Sequence, residues 1–182
     1  GKSIHNNMYE IRNEIGLCPQ HNILWSNLTV REHLHFFAAI KGISGVERDN
    51  VVEMLIDATD LRAFDDVFAG RLSGGNKRKL SVAIVGGGKL VILDEPTAGM
   101  DVATRRHTWE LIRAMTQGRT ILLTTHFMDE ADLLGSSITI LNKGKVHCSG
   151  SSLFLKSRLG VGYNLTLSLT HGRYRDEYLS KI

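Results

Sequence analysis

The chain has 182 residues, 42% of them hydrophobic and 23% charged, with a formal net charge of +3. This is ordinary globular composition, which excludes a disordered tail, a collagen-like chain and a disulfide-dense mini-protein, and the length allows one sizeable core. The charge is too small to demand nucleic acid or an anionic membrane as partner, and no apolar run approaches the ~20 residues of a spanning helix.

The pattern along the chain alternates helix and strand, which predicts an α/β fold. Ile15, Gly16, Leu17 and Cys18 form a short apolar run before Pro19, a strand candidate. Thr29 and Glu32 have capping-box spacing, and Val30, Leu34, Phe37 and Ala38 follow at helical spacing until Gly42. Ser44 and Glu47 repeat the capping spacing before a second helix, whose expected apolar face is Val51, Val52, Leu55 and Ala58. These helices set apart a helical subdomain at roughly residues 28–70. Residues 90–93 and 120–124 are continuous apolar runs, which suit strands buried on both faces in a parallel sheet under helices. Residues 102–117 read as a helix with Gly118 just past its end. Residues 138–142 and 145–148, joined by Lys143 and Gly144, read as a hairpin. Beyond it, over residues 149–182, lies a C-terminal extension in which Tyr163, Leu165, Leu167 and Leu169 alternate as in a half-exposed strand. Cys18 and Cys148 form no CxxC pair and read as reduced thiols.

Four local signals carry chemistry. The apolar run at 90–93 delivers Asp94 and Glu95 to a strand end, where α/β sheets bind ligands. If both acids continue the strand they point opposite ways, so one suits holding Mg²⁺ and the other polarising a water. Ser73, Gly74 and Gly75 precede a helical stretch, and bare amides at a positive helix end make an anion site; the plainer alternative is a Ser N-cap with glycines in the preceding turn. His126 follows the run at 120–124 and can reach the same crevice, and Gln20 opens a loop after the first strand candidate. Lys77, Arg78 and Lys79, and Arg105 and Arg106, are expected as a solvated helix face and pairing residues, with no nucleic-acid role. His33 and His35 are two apart on a helix and do not face each other, so zinc is not expected there. Trp25 either docks a partner helix or packs locally.

Taken in order, Gln20, a helical insert, Leu72-Ser73-Gly74-Gly75, the apolar run ending in Asp94-Glu95, Ala98-Gly99-Met100-Asp101 and then His126 resemble the nucleotide-binding domain of an ABC transporter. Residues 15–20, 72–80, 93–101 and 149–163 look like the A subfamily, whose members are mostly lipid exporters. The resemblance implies a P-loop-type ABC ATPase core, a mixed and mostly parallel sheet with a helical subdomain at about 24–86. It also implies ATP and Mg²⁺ as ligands. Partners would be a second nucleotide-binding domain and membrane-spanning domains, and the place the cytoplasmic face of a membrane. By motif position, Gln20 and Asp94 would hold Mg²⁺, Glu95 would be the general base and His126 would contact the γ-phosphate. Ser73, Gly74 and Gly75 would close over the nucleotide of the opposite domain, with Asp101 at the dimer interface. A soluble ABC ATPase and a degenerate domain serving as a partner surface are the alternatives.

The resemblance is incomplete. The phosphate-binding loop G-x-x-x-x-G-K-[ST] is missing, and the chain, which opens at Gly1 without Met, is expected to be an N-terminally truncated piece. Gly1-Lys2-Ser3 looks like the end of that loop. Too few residues separate it from Gln20, so residues 2–4 are expected to end a strand ahead of a short helix at 8–13. The stretch from Ser81 to Asp94 is about two residues short, which taken within the helix would turn its face by about 200°; Gly86, Gly87 and Gly88 are expected to absorb this in the loop. Asn76, Val102, Ser136 and Ser137 also depart from the common pattern.

Overall fold

The computed structural model describes residues 2–85 and 88–160. They form two compact units, Gly1–Gly135 and a second that begins at Ser136. The expected strand at 163–169 and the glycines Gly86 and Gly87 lie outside the described residues.

The first unit opens with helix α1 (Met8–Glu14), strand β1 (Ile15–Cys18), helix α2 (Val30–Ile40) and helix α3 (Gly45–Ala58). Residues 2–4 do not end a strand: Ile4 to Asn6 turn, and Lys2 forms ion pairs with Glu10 and Glu14 of α1. Thr29 caps α2 in a complete capping box: its hydroxyl accepts the Glu32 amide at 3.2 Å, while Glu32 accepts the Thr29 amide at 2.7 Å. Ser44, with the same spacing, makes no side-chain cap bond. The inner face of α3 is also shifted, with Val52 and Ile56 fully buried and Ala58 exposed. Leu55 packs half-buried against the core as expected, and the fully buried neighbour of Val52 is Ile56, four residues on.

Helix α4 (Gly74–Ala83), strand β2 (Leu90–Asp94), helix α5 (Val102–Ala114), strand β3 (Thr120–Thr124) and helix α6 (Met128–Leu134) complete the unit. The strands form a parallel sheet in the order β1-β2-β3, with Cys18 opposite Leu93 and Asp94 opposite Thr124. Gly16 is required by packing, because a Cβ there would stand 2.3 Å from the Val85 carbonyl oxygen. One sheet face carries Cys18, Val91 and Leu93 into a core shared with Leu34, Ile56, Leu80, Val82 and Ile112. On the other face Leu17, Ile92 and Leu122 stand in one row, and Leu17 and Leu122 are each 56% exposed. That row ends at Asp94 and Thr124, two residues further along their strands.

The second unit contains the antiparallel strands β4 (Ile138–Asn142) and β5 (Lys145–Gly150), then helix α7 (Ser152–Leu159). The hairpin turn uses left-handed backbone at both central residues, Lys143 (φ 49°) and Gly144 (φ 73°), the primed geometry that matches strand twist.

Candidate functional site

The parallel strands bring their C-terminal ends to one rim. Gln20 follows β1, Asp94 ends β2 with Glu95 beside it, and His126 follows β3. Glu95 does not continue the strand, as the alternation of neighbouring acids requires. Its φ of 48° is left-handed, so the chain turns away and the carboxylate leaves the pleat. There it accepts a 2.6 Å hydrogen bond from His126 Nδ1 at Oε2. The Glu95 side chain is only 19% exposed, whereas that of His126 is 62% exposed. Asp94 accepts a 2.6 Å bond from the Thr124 hydroxyl at Oδ1.

Arg78 joins the strand ends from α4. Its Nη1 donates to the carbonyls of Pro19 (2.6 Å) and Gln20 (3.1 Å), and Nη2 to those of Asp94 (2.5 Å) and Glu95 (3.0 Å). Nε donates to the carbonyl of Pro96 at 3.0 Å. The expectation of a solvated Lys77–Arg78–Lys79 face is therefore overturned for two of the three, since Arg78 and Lys79 are buried. A guanidinium enters the interior when its five planar donors all find acceptors. Beside it, burial pushes the Cys18 thiol up in pKa, partly opposed by the Arg78 charge; both Cys18 and Cys148 are free thiols.

The Ser73 hydroxyl caps α4 by accepting the Asn76 amide at 3.2 Å. Gly74 and Gly75 sit inside the first helical turn rather than before it. A Cβ on Gly75 would stand 3.3 Å from Thr104 of α5, so the N-terminal turns of α4 and α5 are neighbours. Asp101 caps α5, accepting the amides of Ala103 and Thr104 (both 3.0 Å) and the Thr104 hydroxyl (2.6 Å). That hydroxyl bond, with the amides, holds its carboxyl below the usual range. Ser73, Gly74 and Asp101 are exposed.

No sequence motif marks Glu130. It is fully buried in α6, and its Oε1 accepts from the Thr97 hydroxyl (2.9 Å) and Trp109 Nε1 (2.8 Å). This ties the turn after Glu95 to α5 and α6. Helix α5 stops three residues before the expected 117. Arg105 pairs as expected, over the Phe127 ring (3.8 Å) and 3.9 Å from Asp129. Fully buried His33 is structural: Nδ1 donates to the Thr29 carbonyl (2.7 Å) and Nε2 accepts the Trp25 amide (3.0 Å). Among the described residues no group of three or more His, Cys, Asp or Glu side chains is placed to hold a metal ion.

A family model described as ABC transporter matches residues 1–98. The chain belongs to the ABC transporter family. It is 50% identical over 169 residues to the mouse phospholipid-transporting ATPase ABCA3, which covers 92% of this chain and 10% of that protein. It is 48% identical over 177 residues to ABC transporter A family member 9 of Arabidopsis thaliana, covering 95% of this chain and 19% of that protein. The chain thus spans about a tenth to a fifth of the length of these relatives. Among solved structures it resembles an ATP-binding subunit of an ABC transporter, with 26% identity and a TM-score of 0.76 over 88% of this chain and 68% of that one. A dimeric ATP-binding cassette in a post-hydrolysis state with ADP and Pi has the same fold, with 24% identity and a TM-score of 0.70 over 80% and 66%. The α/β architecture and its parallel sheet are those of the ABC ATPases.

Proposed function

We propose that this chain supplies the water-activating and cation-holding residues of an ATP-hydrolysing domain that powers a transporter, one that moves phospholipid. The observation that carries the reading is the His126–Glu95 hydrogen bond of 2.6 Å beside Asp94, at the ends of adjacent parallel strands. With Oε2 held by His126, Glu95 has Oε1 left to accept the proton of an attacking water. Asp94 and Gln20 offer two oxygen donors on adjacent strand ends, which suits a hard cation that keeps most of its shell as water and phosphate oxygen. Mg²⁺ held there would neutralise charge developing on the transferred phosphoryl group. Phosphoryl transfer asks mainly for such positioning, and Arg78 provides it by anchoring the backbone under Gln20, Asp94 and Glu95.

The exposed N-terminal turns of α4 and α5 would serve a second nucleotide-binding domain. Ser73, Gly74 and Gly75 would face its phosphates across the interface with Asp101 beside them, since free amides at a helix start attract anions. Membrane-spanning domains would dock at a groove of about 400 Å³ lined by Trp25, Ser26, Asn27, Leu28 and Phe36. Trp25 packs on His33, Phe36 and Phe37 and still stays 49% exposed, so local packing and docking are compatible. The helical subdomain at about 24–86 is part of this reading, as is a location at a membrane. No helix of the described residues is long and apolar enough to cross one.

The test is Glu95→Gln in the full-length protein, which removes the base and keeps the size. Nucleotide binding should persist while ATP turnover falls roughly 10²–10⁴-fold. Turnover near wild type would remove Glu95 from the role.

A further inference from the structure

We infer that Thr124 is a positioning residue that sets Asp94 and Glu95 relative to one another through a single hydroxyl. Thr124 ends β3 directly opposite Asp94. Its Oγ1 donates to Asp94 Oδ1 at 2.6 Å and accepts the Glu95 amide at 3.2 Å. The same amide reaches the Thr124 carbonyl at 3.1 Å. A hydroxyl has one proton to give, and here it goes to a carboxylate while a lone pair takes the amide. Both bonds fix its rotation, so the two acids are clasped to one atom.

Each bond has a distinct consequence. The donated bond holds the Asp94 carboxylate in one rotational setting and leaves Oδ2 without a hydrogen-bond partner among the described residues. The accepted bond holds the amide of a residue in left-handed backbone at φ 48°, which non-glycine residues rarely adopt. Glu95 must turn there for its carboxylate to meet His126. Thr124 is exposed and absent from the hydrophobic core, so neither bond is a by-product of core packing. Val matches Thr in shape and lacks the hydroxyl; Ser keeps the hydroxyl and lacks the methyl.

This rests on the proposed reading of Asp94 and Glu95, and the experiment separates the two. Thr124→Val, Thr124→Ser and Glu95→Gln are made in the full-length protein. ATP turnover, binding of a fluorescent ATP analogue across a Mg²⁺ titration, and thermal melting are measured. Thr124→Val should lower kcat roughly 10- to 100-fold with little change in KM, as for a misplaced catalytic group. In the binding assay it should need several-fold more Mg²⁺ for half-saturation, while Thr124→Ser stays within about threefold of wild type in both. If Thr124→Val melts early, Thr124→Ala is read in its place. An unchanged kcat and Mg²⁺ half-saturation in the folded variant, with Glu95→Gln inactive, overturns the inference alone. Full activity of Glu95→Gln overturns the reading beneath it.

Discussion

At the scale of single residues, Arg78 shows how a charge becomes structural. Its donors reach the carbonyls of Pro19, Gln20, Asp94, Glu95 and Pro96, which belong to two segments far apart in the chain. Removing it strands several partly buried acceptors, each worth about 1–3 kcal/mol when left without a donor. Arg78→Met should therefore destabilise the folded protein by of order 3 kcal/mol or more, read as a lower urea midpoint. Arg78→Lys should recover only part, because an ammonium is a point charge with three donors and no planar fork. A midpoint unchanged in both would deny Arg78 this task. The sequence hid it for a physical reason. A basic triplet is at home on a wet helix face, and the carbonyls that outweigh hydration are assembled only by tertiary folding. Gln20, Asp94, Glu95 and His126 were legible because a strand end followed by a polar residue can be read locally. The left-handed turn at Glu95 was not, since neither the strand pattern nor a glycine marks it.

At the scale of elements, similar spacings gave different caps. Thr29-x-x-Glu32 closes both bonds of a capping box, whereas Ser44-x-x-Glu47 closes neither with the Ser44 side chain. The start of α2 is also fixed by the chain beyond α3: Val30 and Arg31 donate their amides to the carbonyls of Val67 and Asp65. Arg31 adds ion pairs to Glu53 and Asp65 and holds both carboxyls below their usual range. Helix α3 begins at Gly45, in left-handed backbone at φ 58°, and among the described residues no bond of that kind locks its cap. Thr29→Ala should then cost about 1 kcal/mol, a typical loss for an N-cap oxygen, and Ser44→Ala a few tenths at most. Equilibrium unfolding of the two variants side by side checks this, and equal losses would contradict it. The elements were read well from periodicity, with boundaries and one helix face off by a residue or a few and a turn where residues 2–4 were expected to end a strand. A capping pattern states only that a bond is available, and the neighbouring chain decides whether it forms.

At the scale of the whole molecule, the row of Leu17, Ile92 and Leu122 leads to Asp94 and Thr124. An apolar sheet face that ends at the acids would be covered by the part of a nucleotide-binding domain that brings the phosphate loop. Expressed alone, these 182 residues offer a triphosphate Gln20, Asp94, Glu95 and His126. Two of these are anionic and repel it unless a cation intervenes. The helix start that could attract phosphate, at Ser73, opens on the exposed surface and in the proposed reading serves another domain's nucleotide, while the first amides of α5 are already taken by the Asp101 carboxylate. Loss of the phosphate loop's contacts, even if worth only about 4 kcal/mol, turns a micromolar site into a millimolar one. Isothermal titration of the folded chain with Mg-ATP should accordingly show no binding below about 100 μM, with circular dichroism confirming helix and strand content first. The exposed row should also make the chain prone to self-association, and Leu17→Lys with Leu122→Lys should relieve it without loss of fold. A dissociation constant near or below about 10 μM would show that Gly1-Lys2-Ser3, or another cradle in this chain, holds phosphate after all.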